Sequence, residues 1–144
     1  MPTDHFSTTF RLGAPPAEIL AFLMDPHSYI GLAPLVVEVR DIRTIGDSVR
    51  YVAVERFRLG PLHWDNAIDV TMTPGDSSVT STVRSPGWVR LIARVTVTPQ
   101  SEVTEAVELH TPWFLRAFAL RKAREAQEGR AAGLTARFPV RPPG

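Results

Sequence analysis

Apolar and polar residues alternate with a period of two in seven stretches of this chain. That is the spacing of strands with one greasy face. The first stretch, residues 6–12, places Phe6, Thr8, Phe10 and Leu12 on one side. Gly13-Ala14-Pro15-Pro16 ends it, and proline suits a first helical turn, so a short helix is predicted over 17–24. Ile19, Leu20, Phe22 and Leu23 supply its apolar side, Asp25-Pro26 breaks it, and one further turn is predicted over 27–32. A meander follows, with strands predicted at 35–43, 49–59, 62–72, 79–84, 89–97 and 103–111. Clusters of Gly, Pro, Asp and Ser separate them as hairpin turns. A long helical pattern from Trp113 to about Ala132 then offers a lid for the apolar face of the sheet.

The register of this meander can be tested on the sequence, because directly opposed residues share a face. Leu35, Val37 and Val39 are taken as inward on the second strand. Pairing Leu59 with Leu62 across Gly60-Pro61 opposes Glu55 to Asn66. Pairing Met72 with Val79, Val83 with Val89 and Val97 with Val103 also sets apolar against apolar. All the hairpins therefore accept one apolar face, as a single curved antiparallel sheet requires. Such a sheet closed by one helix leaves room inside, so the pattern predicts a container for an apolar small molecule.

The order strand, short helix pair, six-strand meander and long C-terminal helix resembles the helix-grip fold of the START-like (SRPBCC) superfamily. That group includes polyketide cyclases, plant pathogenesis-related and allergen proteins, and lipid-transfer domains. The resemblance is carried by Ala14-Pro-Pro-Ala-Glu-Ile-Leu-Ala-Phe-Leu-Met-Asp25, by Tyr29 through Pro34-Leu-Val-Val-Glu-Val-Arg40, and by the helix after Pro112. It spans about Phe6 to Ala136, with Tyr29 where relatives often have tryptophan. It implies an α+β architecture: a seven-stranded antiparallel sheet gripping one long helix, two short helices after the first strand, and an apolar cavity between them. It implies no particular reaction, since one fold hosts many functions.

Composition narrows the classes. At 144 residues the chain suits one domain, taken as 1–137 with a loose tail at 138–144. The absence of cysteine excludes disulfides, thiolate metal sites and a cysteine nucleophile. A net charge of +1 argues against a nucleic-acid binder. No apolar run approaches a membrane span and the N-terminus has no signal pattern, so a soluble cytoplasmic protein without an integral membrane segment is expected. Gly46, Gly60, Gly75 and Gly87 stand singly at turns and form no phosphate cradle. No cofactor is expected.

The inward parity also points polar groups at the cavity. Glu55 and Glu105 are the candidate catalytic residues, since a carboxyl facing an apolar space tends to a raised pKa suited to acid–base work. The alternative for Glu55 is a place near the sheet rim, within reach of water or an arginine. The alternative for Glu105 is an ion pair to a helix arginine such as Arg121. Asn66 faces Glu55 and is placed either to hold it or to orient a ligand carbonyl. The candidate ligand-binding residues are Tyr51, Ala53, Phe57, Trp64, Asn66, Ile68, Ser81, Leu91 and Val107 on the sheet, with Phe114 and Phe118 on the helix. Tyr51 and Trp64 fit either a pocket lining or plain core packing. Trp88 is read as covering the cavity mouth or the sheet end.

His63 and His110 have outward parity. His63 and Asp65 share a face at a metal-binding spacing, but no third ligand accompanies them and no metal site is expected. The inner face of the long helix is read through Phe114 and Phe118 to Arg121 or Glu125, with Ala123, Ala126 and Gly129 leaving room beneath. Arg116, Arg121, Lys122, Arg124 and Arg130 make either a solvated face or a basic stripe for an acidic partner or an anionic membrane. The leading expectation is non-covalent binding of a lipid or an aromatic, polyketide-like metabolite. The alternative is a cyclase/aromatase-like enzyme that uses a cavity carboxylate as general acid or base.

Overall fold

The computed structural model describes residues 2–141. Seven antiparallel strands form one sheet: β1 (Thr3–Arg11), β2 (Val36–Ile45), β3 (Ser48–Leu59), β4 (Leu62–Pro74), β5 (Ser78–Ser85), β6 (Val89–Val97) and β7 (Glu102–His110). Their spatial order is β1-β7-β6-β5-β4-β3-β2, so the meander runs hairpin by hairpin and β1 closes beside the last strand. Helices α1 (Pro16–Leu23) and α2 (Tyr29–Leu32) carry the chain from one sheet edge to the other. Helix α3 (Arg116–Arg137) crosses the concave face after a 3-10 turn at Trp113–Leu115.

Local chemistry sets these boundaries. Pro15 is extended and Pro16 opens α1, where its missing N–H costs nothing. The Asp25 carboxylate accepts from the backbone N–H of His27 at 3.0 Å and caps the turn Pro26–Ser28. Gly31, at φ 90°, interrupts α2 with a left-handed backbone that most side chains avoid. The hairpins at Leu59↔Leu62 and Val97↔Val103 adopt the register expected from the sequence, and Glu55 faces Asn66. Two other hairpins are longer than expected. Val79 pairs with Pro74 rather than Met72, and Val89 with Ser85 rather than Val83, each a shift of two that keeps every residue on its face. On β2 a bulge falls between Val36 and Glu38. Val36 is buried and Val37 turns out to solvent, reversing the expected parity until Val39 regains the inner face opposite Ala53.

The packed core sits at one end. Ile19 and Leu23 of α1, Leu32, and Leu134 with Phe138 meet Leu12, Met72, Val79, Val97 and Val103, all but excluded from solvent. Phe138, the first residue of the expected tail, is buried there, and its carbonyl accepts from the Gly13 N–H at 2.9 Å. Pro142, Pro143 and Gly144 of that tail lie outside the described residues. Two glycines let α3 settle closely on the chain before β2. A Cβ on Gly129 would lie 2.3 Å from Pro34 Cγ, and one on Gly133 would lie 2.8 Å from Leu32 Cδ1.

Alanine favours a helix over glycine by about 1 kcal/mol, yet the proline ring cannot swing aside as a leucine tip can. Gly129→Ala is therefore expected to destabilise, the overpacking of about 1–3 kcal/mol outweighing the propensity gain, whereas Gly133→Ala is close to neutral. Paired thermal melts of the two variants check the contrast.

Candidate functional site

The other half of the concave face is hollow. A cavity of about 320 Å³ lies between the sheet and α3, walled by apolar side chains such as Ala53, Ile68, Val70, Val83, Leu91 and Val95. The strand period puts these residues on one face. On α3 the small side chains Ala119, Ala123 and Ala126 let the space persist beneath the helix. At its outer end Phe57 stacks on Trp64 at 5.7 Å between ring centroids and leans on Phe118 at 6.3 Å. Trp64 and Phe118 are each 44% exposed, so this aromatic group belongs to an open mouth rather than to a sealed core.

A polar knot lies within the lining: Tyr29, Tyr51, Glu55, Glu105 and Arg130. Glu105, on β7, is 3% exposed, and both its carboxylate oxygens accept from Arg130, with Nε at 3.2 Å from Oε2 and Nη2 on Oε1. The Gln127 amide donates to the Glu105 backbone carbonyl at 3.0 Å. Burial acts to lower the Arg130 pKa, but the charge of Glu105 and the hydrogen bonds to it prevail and hold the guanidinium above its ordinary value. Tyr29 donates to the Leu23 carbonyl at 2.8 Å, and its ring stacks on Tyr51 at 6.4 Å. Burial raises both phenols well above their usual range, so they stay protonated.

Glu55 is different. No protein hydrogen bond to its carboxyl accompanies its burial among the described residues, and burial raises its pKa against a weaker lowering by the Arg130 charge. Asn66, opposite it in register, donates instead to the Ser85 hydroxyl at 3.2 Å. Of the two roles open to Asn66, the structure does not show that of holding Glu55.

Of the residues singled out from sequence, Tyr51, Ala53, Phe57, Trp64, Asn66, Ile68, Ser81, Leu91 and Phe118 line the cavity together with Glu55 and Glu105. Val107 is buried but outside the lining, and Phe114 is 60% exposed, edge-on to Trp113. Trp88 covers nothing: it stands 79% exposed at φ 61°. The partner of Glu105 is Arg130, not Arg121, which points to solvent with Glu125. The inner face of α3 runs Phe118, Lys122, Ala126, Arg130 and Leu134, a ridge of i+4 steps. Phe114 belongs to the 3-10 turn and is out of phase with it. Counting in fours from Phe118 finds Arg130; its charge hid it from a search for apolar positions. Asp65 is held by Arg56 in two bonds of 2.9 and 3.2 Å.

No protein-family model matches the chain, and no curated protein matches it in sequence. Its backbone does match solved structures. The ZhuI aromatase/cyclase from Streptomyces sp. R1128 superposes with a TM-score of 0.76 at 11% identity, over 94% of this chain and 93% of that one. The di-domain aromatase/cyclase BexL from the BE-7585A biosynthetic pathway gives 0.74 at 12% identity, over 97% of this chain and 51% of that one. A START superfamily protein from Mycobacterium smegmatis gives 0.70 at 14% identity, over 93% and 96%. The chain therefore has the helix-grip fold that these structures share.

Two outcomes follow from the knot. Arg130→Met strands a buried carboxylate and is expected to cost about 3–5 kcal/mol, seen as a lower urea midpoint at an unchanged slope. Glu55 binds its proton more tightly folded than unfolded, so the native state loses stability as pH rises through the window above its ordinary pKa. Glu55→Gln removes that loss. In urea titrations the variant should gain on the parent protein as pH rises above the ordinary carboxylate range, with little difference at the acid end.

Proposed function

We propose that this protein binds a hydrophobic small molecule, a lipid or an aromatic, polyketide-like metabolite, non-covalently between its sheet and α3. The observation that carries the reading is the cavity itself: about 320 Å³ with largely apolar walls, open at an aromatic mouth. That volume falls within the usual size of small-molecule sites, roughly 300–1,000 Å³. Affinity comes from apolar area removed from water, at about 25 cal/mol per Å² before the costs of association, while the polar knot fixes orientation. The fold shared with two aromatase/cyclases agrees with a cavity of this use. The reading requires no cofactor, and no described helix is long and apolar enough to cross a membrane.

Glu55 favours a second reading, a cyclase-like enzyme. An unpartnered carboxyl on the cavity wall, its pKa raised by burial, can exchange a proton with a bound chain. Glu105 suits this role less, because both its oxygens already accept from Arg130.

Native mass spectrometry of protein purified from its own host, followed by denaturing release, tests the container directly. A stoichiometric apolar ligand is the expected result. Ala53→Phe, which fills the cavity from β3, is expected to lose that ligand while remaining folded by circular dichroism. Glu55→Gln separates the two readings: a binder keeps its ligand, whereas an enzyme keeps binding and loses turnover.

A further inference from the structure

The ion pair in the cavity wall decides which ligands the cavity can accept. Six ionisable side chains line it: Tyr29, Tyr51, Glu55, Glu105, Lys122 and Arg130. A buried arginine beside an apolar space is a ready receptor for a carboxylate, because its fork matches two oxygens. Here the Nε–Nη2 side of that fork donates to Glu105, whose side chain is 4% exposed, so the charge of Arg130 is already compensated within the wall. Lys122, the other cation, lies on the Phe118 side of the lining. Its ammonium is 5.9 Å from the Phe118 ring centroid and 3.5 Å from Glu125. The remaining polar groups are Glu55 and the Tyr51 hydroxyl, neither of which has a protein hydrogen bond among the described residues.

An anionic ligand head therefore meets no uncompensated cation in the interior and, wherever Glu55 is ionised, is opposed by its charge. An uncharged oxygen meets two groups able to hydrogen-bond to it. Building on the binding reading above, we infer that the cavity accepts uncharged, oxygen-bearing apolar ligands and rejects carboxylates. Glu105 sets this choice by compensating the charge of Arg130, and Glu55 and Tyr51 hold the ligand's hydroxyl or carbonyl. Glu105 is then a specificity-determining residue that acts through Arg130 rather than by touching the ligand. The desolvation of a buried carboxylate without a partner is large enough to dominate the selection.

Displacement of the uncharged dye Nile red, at fixed pH and ionic strength, measures the choice with three probes of one chain length: dodecan-1-ol, dodecanoate and dodecylammonium. The alcohol is expected to bind best. The ammonium, which Glu55 can receive, should bind at least about tenfold more tightly than the carboxylate, although both are charged.

Glu105→Gln leaves Arg130 with a neutral acceptor and an uncompensated charge, and should improve dodecanoate relative to dodecan-1-ol by about tenfold or more. The inference is overturned if the parent protein binds dodecanoate as well as dodecylammonium, or if Glu105→Gln leaves the ratio of dodecanoate to alcohol unchanged while the alcohol still binds. Should Glu105→Gln fail to fold, the ammonium–carboxylate comparison on the parent protein decides alone. If Nile red binds and no probe displaces it, or if the dye does not bind, the container reading itself fails, a result distinct from loss of charge selection.

Discussion

A helix laid over a hollow has little packing to hold it, and here the contact between Glu105 and Arg130 takes that place. It ties α3 to β7, and Gln127 adds a bond to the carbonyl of the same residue. Both charges lie mostly out of water, with side chains 4% and 16% exposed. Their separate desolvation is costly and only close, two-pronged contact offsets it. The pair therefore holds the roof at a fixed height over the cavity and fixes the electrostatic character of its wall at once. At the start of the helix Arg116 makes a second forked pair with Asp4 of β1, at 2.9 and 3.0 Å, which anchors the other end.

Stability and cavity are separated along the length of α3. Leu134 and Phe138 reach the dense cluster formed with α1 and the ends of β4 to β7, where Ile19, Met72 and Val103 are wholly excluded from solvent. Toward its N-terminus the helix presents alanines and Phe118 to empty space, and the apolar side chains around the mouth are left partly wet. Close packing at one end contributes the cohesion that the hollow end gives up. Trp88 and Trp113 are each 79% exposed beyond that packing, and the left-handed backbone of Trp88 is unusual for so large a side chain.

The sheet was legible because every strand obeys the period of two and every turn carries its own punctuation. Even the hairpins with the wrong expected length kept their faces, since a shift of two preserves parity. What escaped was what parity does not encode. The bulge after Val36 inserts one residue and turns Val37 outward, and nothing in the run Leu35-Val-Val-Glu marks where it falls. The inner face of α3 was hidden for another reason: alanines surround the helix and its inward stripe includes Lys122 and Arg130, so hydrophobicity gives no phase. Glu55 and Glu105 were both placed on the cavity wall by strand parity, yet only their partners separate a bare carboxyl from a neutralised one. The partners of Glu105 come from a helix more than twenty residues away in sequence, beyond the reach of local pattern.

The glycine at 129 has an effect larger than its own contact. Pro34 touches the helix there, eleven residues from Phe118, which is about 16 Å of helix axis at 1.5 Å per residue. That stretch of helix lies between two holds, the Pro34 contact at one end and the Arg116–Asp4 pair at the other. The aromatic entrance lies along this span, and one of the span's two supports is a position whose side chain is a single hydrogen atom.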